Sequence, residues 1–347
     1  MGALSCLRPL DDHVTVHVGV GGTTHVRSVM RCGSVWSCPW CAPVVRSQKA
    51  EEITAAVESW LAKGGRVWFV TGTIPHTVTD SLDVLLNRLQ DMWTRAFVRG
   101  SAGQGVRRRN GVVGSVRSIE VTRGDNGWHP HIHALVFVEP GVPFSVVDWT
   151  ARWRAQFIRE GFGYVPGVSM DVRQVRTPDT AEGATCIGQY VASVEGGWGA
   201  GLEIARADLK GRGGLRADQI LELASTGEKR WVWRWREYEQ ATKGRRCIVW
   251  SRGLRALCGL DEVEATDEEL AAGPDADEVI GLVIVPAAEW NSARSSGQLG
   301  ELLEAVVRGD RSRWRFHTVG VDWSGTRPRW LDPPPEPAQG CALPLVA

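Results

Sequence analysis

The chain has 347 residues, with 40 basic and 40 acidic side chains and 43% hydrophobic residues. That length predicts one large domain or two to three smaller ones, each able to bury a proper core. The zero net charge hides an asymmetry: residues 1–260 carry 33 basic against 24 acidic groups, residues 261–347 carry 7 against 16. A basic body with an acidic end fits a polyanionic partner such as DNA. No run of apolar residues is long enough to span a bilayer, so no membrane association is expected. The start, Met1-Gly2-Ala3-Leu4-Ser5-Cys6, lacks the charged-then-apolar order of a secretory signal. The expectation is a cytoplasmic protein, in which clustered cysteines mean metal more often than disulfides.

In chain order, Val14–Val20 and Thr24–Val29 alternate around Gly21-Gly22, which predicts a hairpin. Cys38-Pro39-Trp40-Cys41 is a C-x-x-C knuckle, with Cys32 just upstream. The hairpin would return Cys6 to the other three. A four-cysteine structural zinc site is the natural reading, with His25 as the reserve fourth ligand. Free buried thiols and a redox pair are the alternatives, the latter without a surrounding βαβ pattern.

Ala42–Lys63 reads as a helix ended by Gly64-Gly65. Arg66–Ile74 reads as a strand closed by Pro75-His76. Asp80 is expected to cap a helix to about Arg99, with Leu82, Leu85, Leu86, Leu89, Trp93 and Phe97 on one face. A Gly-rich basic loop with Arg107, Arg108 and Arg109 follows, a candidate phosphate contact or a solvated surface.

The most informative stretch is Trp128-His129-Pro130-His131-Ile132-His133, running into the apolar Ala134–Val138. A strand starting here sends His131 and His133 to one face and Ile132 to the other. Asp125-Asn126-Gly127 has turn chemistry, and the preceding strand, Gly114 or Val112 to Thr122, carries Glu120. A hairpin across that turn would bring Glu120 beside the two imidazoles. Two histidines and a carboxylate make a half-shell for a divalent metal, with positions left open for a substrate oxygen. The bland alternative is a His-rich strand whose rings pack or solvate.

Ser145 is expected to cap a helix carrying Trp149, Trp153 and Phe157, spaced for core packing. Val168–Val175 alternates as a strand. A helix from Pro178-Asp179 to about Val194 carries Tyr190, beside the small residues Gly188, Ala192 and Ser193. Residues 66–176 thus read strand, helix, strand, strand, helix, strand. The expected fold class is α+β: an antiparallel sheet with helices on one face, of the split βαβ (ferredoxin-like) kind. Trp231, Trp235 and Tyr238 share a helical stripe, which reads as packing. Gly244-Arg245-Arg246 and Arg252–Arg255 are further candidate phosphate contacts. In the acidic end, Thr266-Asp267-Glu268-Glu269-Leu270 looks like a helix start, Val279–Val285 like a strand and Gly297–Val307 like a helix. The Pro333-Pro334-Pro335 tail is expected to be disordered.

These motifs together resemble a known family. From about Cys6 to Leu260 the chain resembles the rolling-circle replication initiators of bacterial plasmids, within the HUH endonucleases (histidine, bulky apolar, histidine). Cys32–Cys41 with Cys6 is similar to their cysteine block. Phe69–His76 is similar to their first motif, although Gly72 stands where a larger apolar residue is usual. Glu120–Thr122 through Gly127–His133 is a close match to the second motif. Tyr190-Val191-Ala192-Ser193 resembles the tyrosine motif. Gly201-Leu202-Glu203, Arg206–Lys210 and Trp250–Leu254 resemble later blocks of actinobacterial members.

The expected layout has three parts: a zinc-binding module at 1–48, a domain at 49–260 that the resemblance makes the nicking and joining domain, and a small acidic αβ appendage at 261–347. The resemblance implies Mg²⁺ or Mn²⁺ on His131, His133 and Glu120, and Tyr190 as the nucleophile that becomes joined to a DNA 5′ end. The freed 3′-OH would prime synthesis by host helicase and polymerase. The family often has a lysine where this chain has Ser193 and a glutamate where it has Cys186, which leaves Lys210 and Glu182 as the candidate accessory groups. An HUH transposase or relaxase would use the same chemistry. A zinc-ribbon DNA-binding regulator whose histidines only pack is the rival of another class.

Overall fold

A computed structural model describes residues 6–19, 24–175, 214–273 and 279–319. The expected helix at 178–194 and the tail beyond 319 lie outside the described residues. Two compact units divide the chain, one of residues 46–264 and one that combines 1–45 with 265–347.

In the 46–264 unit, α1 (Cys41–Ala62) leads into β3 (Arg66–Thr73), and α2 (Leu82–Trp93) and α3 (Gly100–Arg109) precede β4 (Val112–Gly124). β5 (Gly127–Val138), α4 (Val146–Arg159) and β6 (Met170–Gln174) follow. After the undescribed stretch come α5 (Ala217–Ser225), α6 (Lys229–Thr242), β7 (Ile248–Trp250) and the short α7 (Leu254–Leu257). The five strands form one antiparallel sheet in the order β6-β3-β5-β4-β7. β3 through β6 therefore take the expected split βαβ order, and the histidine strand β5 sits in the middle.

The core explains the placement of β5. Ile132, Ala134 and Val136 are fully buried on one face, and Trp93 and Trp153 from α2 and α4 lie against Gly72 of the neighbouring strand. Phe97 stacks on Trp149 at 4.2 Å, so the four-residue aromatic spacing does mark a packed face. Helices are not confined to that side. Trp60 of α1 meets Phe137 edge-on at 6.3 Å and donates to the Val138 carbonyl, on the face that also carries the histidines.

Three local expectations are corrected. The helix from Asp80 to Arg99 breaks into α2 and a π turn at Thr94–Val98. Asp80 does not cap α2: its carboxylate accepts from the Thr77 amide and hydroxyl, while Glu237 of α6 accepts from the Leu82 amide. The basic loop is the helix α3, ended by Arg107–Arg109, where cations meet the negative end of the helix dipole. Ser145 does cap α4, its hydroxyl accepting from the Asp148 amide at 3.1 Å.

The second unit holds β1 (His13–Gly19), β2 (Thr24–Arg27), α8 (Asp267–Ala271), β8 (Val279–Pro286), α9 (Ala287–Ser295), α10 (Leu299–Arg308) and β9 (His317–Val319). Its sheet runs β2-β1-β8-β9. The expected separation of a 1–48 module from a 261–347 appendage gives way here, because β1 pairs along its whole length with β8, His13 facing Pro286 and Val14 facing Val285. Val14, Val16, Val18, Val283 and Val285 form the buried side of that sheet. Trp290 of α9 is fully buried and donates to the Leu7 carbonyl at 2.7 Å. Trp290→Ala is expected to destabilise this unit by about 3–5 kcal/mol. Hydrogen exchange should show protection lost in β1 and β8 together; loss in β8 alone would show that the two chain ends do not fold as one.

Candidate functional site

The β4–β5 hairpin turns through Asp125-Asn126, with Gly124 facing Gly127. Gly127 has φ 96°, and a Cβ there would lie 2.8 Å from the Thr77 carbonyl oxygen, so glycine is required. This turn sets the register, in which Glu120 faces His131 and Ser118 faces His133. On the other side of β5, Thr73 faces His131 and Thr71 faces His133.

The side chains use that register directly. Thr73 Oγ1 is 3.0 Å from His131 Nδ1 and Thr71 Oγ1 is 3.1 Å from His133 Nδ1. Glu120 Oε2 is 2.7 Å from His133 Nε2. The His131 and His133 rings lie 6.0 Å apart, near parallel. Ser118 is wholly buried, and its hydroxyl has no hydrogen-bond partner among the described residues. His131, His133 and Glu120 thus share one face, though less tightly than the cysteines described below.

Two histidines escape the sequence reading. His129 continues the same face of β5, its ring 4.1 Å from that of His131. His76, from the loop after β3, is 4.4 Å from His129, with its ring nitrogens 3.1 and 3.2 Å from His129 Nδ1. The i, i+2 spacing of His129 was the available signal; His76 closes the Phe69–His76 motif, but nothing there indicates that it meets His129. Burial, reinforced by the neighbouring His76, pushes the pKa of His129 down to about 4. Burial and the adjacent imidazoles hold His131 well below its usual range. Neutral imidazole is the form that ligates a metal.

The second candidate centre lies in the other unit. Sulfurs of Cys6, Cys32, Cys38 and Cys41 all fall within 4.8 Å of one another, the only such gathering of three or more ligand groups among the described residues. Cys6 and Cys41 are 3.4 Å apart, Cys32 and Cys41 3.9 Å. Four thiolates at about 2.3 Å around a tetrahedral zinc would stand about 3.8 Å apart, so the set could hold zinc. The Cys41 amide donates to Cys38 Sγ, the knuckle bond the C-x-x-C spacing allows. Hydrogen bonds from Cys32 and Cys38 lower Cys6 to about 7, and bonds from the other three thiols lower Cys41 further. Cys6, not His25, completes the set; His25 faces His17 across β1 and β2.

The basic candidates divide. Arg245 is engaged within the fold, bonding Asp83, Asn87, Gln90 and the Ala241 carbonyl, and so ties α6 to α2. Arg246 is exposed. Arg108 and Arg109 are exposed at the end of α3, Arg109 near Asp148, while Arg107 is half-buried. Tyr190, Glu182 and Lys210 lie outside the described residues. No described helix is long and apolar enough to cross a membrane.

Comparison with known proteins agrees with the sequence motifs. A model of a replication protein family matches residues 24–298. A protein named Protein rep from Streptomyces lividans is 35% identical over 331 aligned residues, covering 76% of this chain and 72% of that protein. A Neomycin resistance protein from Streptomyces cyanogenus is 36% identical over 141 residues, about a third of each chain (34% and 32%). No solved structure matches. With both the cysteine cluster and the histidine strand inside or beside the matched span, the chain belongs to the replication protein family.

Proposed function

We propose that this protein initiates rolling-circle replication of a plasmid by nicking one DNA strand and later rejoining it. The observation that carries the reading is the row of imidazoles on the central strand, with Glu120 beside His133 and threonines on both Nδ1 atoms. Family membership supports DNA as the substrate, and residue 190 falls within the matched span.

The donor set suits a hard or borderline dication: two neutral nitrogens and a carboxylate oxygen. His131, His133 and Glu120 would hold Mg²⁺ or Mn²⁺, which when bound polarises the scissile phosphate. Thr71 and Thr73 fix the two imidazoles through Nδ1, as outer-shell partners of metal-binding histidines do. A hydroxyl both donates and accepts, so it serves either tautomer. That matters at His133, whose Nε2 donates to Glu120 in the present arrangement and would have to carry a lone pair to ligate.

The phenol oxygen of Tyr190 attacks the phosphorus as its proton leaves. An O–P bond forms to tyrosine, the P–O3′ bond breaks, and the departing 3′ oxygen is protonated. The exchange conserves one phosphodiester, so a later 3′-OH can reverse it without ATP. The free 3′-OH is a primer end, which implies a host helicase and polymerase as the next partners. Glu182 and Lys210 are the accessory groups in this scheme. Cys6, Cys32, Cys38 and Cys41 hold a structural zinc in the second unit.

With its own origin on a supercoiled plasmid, the protein is expected to nick and to leave a denaturation-resistant adduct mapping to Tyr190. Tyr190→Phe should abolish the adduct while retaining DNA binding. Absence of any adduct from the unaltered protein would favour a non-catalytic regulator. Thr71→Val and Thr73→Val are each expected to weaken Mn²⁺ binding about 10- to 100-fold by calorimetry, with Thr→Ser restoring it; unchanged affinity in the valine variants would remove the threonines from the site. Elemental analysis should find about one zinc per chain, lost in Cys38→Ala; a folded sample with far less would refute the cysteine site.

A further inference from the structure

Helix α6 carries three tryptophans, and they do not share a fate. Its inward stripe is Trp231, Trp235, Tyr238 and Thr242, the helical spacing of a packed face. Tyr238 is wholly buried, stacks with Trp235 at 5.5 Å and lies 6.1 Å from Trp128. Trp233 is 70% exposed. Its neighbours on the outward stripe are Lys229 and Arg230 one turn before and Arg236 one turn after, all exposed. Between residues 229 and 236 there are four basic groups and no acidic one. Arg230 and its partner Glu228 are both exposed, so that ion pair contributes little and is readily exchanged. Arg234 is differently placed, paired to Glu237.

We propose that this outward stripe of α6 binds single-stranded DNA, with Trp233 stacking on a base and Lys229, Arg230 and Arg236 contacting the phosphates on either side. An indole face flanked by cations is the arrangement that recognises a single strand without reading its sequence. A duplex offers no free base face to an indole on a helix surface, which is why the single strand is favoured. The stripe is tied to the histidine strand: Tyr238 packs on Trp128, the residue before His129, and Arg123 lies over the same ring at 5.6 Å. Alternation along β5 puts Trp128 on the face opposite the histidines. The stripe would therefore hold DNA away from the cleaved phosphate, as a tether on the displaced or flanking strand. The inference rests on the reading of this chain as a DNA nicking protein.

The test uses the full chain and a fluorescent oligothymidylate, with binding followed by polarisation across a salt series. Trp233→Ala is expected to weaken binding about 5- to 100-fold, the range for one stacked base, and Trp233→Phe to restore part of it. Arg230→Gln with Arg236→Gln should lower the salt slope by about 1.4, from two lost phosphate contacts on a single strand. Nicking of a short origin oligonucleotide at saturating concentration should be unchanged in all three variants. If Trp233→Ala binds as tightly as the unaltered protein with the same salt slope, while the unaltered protein still nicks, the stripe is not a DNA contact and the nicking function stands. If the unaltered protein neither binds the oligonucleotide nor nicks, both readings fall.

Discussion

The pairing of β3, β5 and β4 is the constraint on which the histidine site depends. Each site residue is placed by a cross-strand position: Thr73, His131 and Glu120 in one row, Thr71, His133 and Ser118 in the next. A slip of one residue would turn Ile132 and Ala134 onto the site face and drive the imidazoles among Trp93 and Trp153. The apolar side of β5 forbids that slip. Register is thus enforced from the face that packs on α2 and α4 and read out on the other, so core packing and site geometry are a single requirement.

The same burial sets the chemistry of the site. Imidazolium is disfavoured when desolvated, and adjacent imidazoles disfavour it further. His129 and His131 therefore stay neutral at physiological pH. A row of charged histidines would repel both a dication and one another. The hydroxyls of Thr71 and Thr73 supply hydrogen bonds that do not depend on which ring nitrogen carries the proton.

What could be read from the sequence was whatever a local pattern encodes. Alternation placed His131 and His133 together, Asp125-Asn126-Gly127 gave the turn, and the turn implied that Glu120 comes alongside. The four-residue spacing of Trp149, Trp153 and Phe157 gave a buried face. Long-range pairings left no such mark. His76 reaches His129 from a loop 53 residues earlier. Arg245 looked like a surface cation because its partners Asp83 and Asn87 lie on a distant helix. The basic stretch at 100–109 read as loop because glycines lower helix propensity. Gly103 is nevertheless accommodated in α3, where a Cβ would come within 2.9 Å of the Ala96 carbonyl oxygen. On α6, the stripe of Trp231, Trp235 and Tyr238 was legible as packing, whereas Trp233 on the opposite side belongs to no apolar pattern.

The pairing of β1 with β8 was the least legible feature, and it accounts for the cysteines. A two-stranded hairpin is marginal in water, and β2 contributes only four residues, none fully buried. β8, β9, α9 and α10 supply the strands and apolar cover that the hairpin lacks. Residues 28–40 have neither helix nor extended strand, and are held by backbone bonds between 28–30 and 7–10 and by the buried Val35 and Trp36. Ser28 takes a positive φ there, a conformation costly for a residue other than glycine. Cys32 and Cys38 from that loop and Cys41 from the start of α1 converge onto Cys6. A metal joining four thiolates would fix the loop without a larger core, since the free energy of binding such a metal is itself folding free energy. The small sheet is closed by the far end of the chain, and a metal on the four thiolates would cross-link the loop, the other half of the same stability problem.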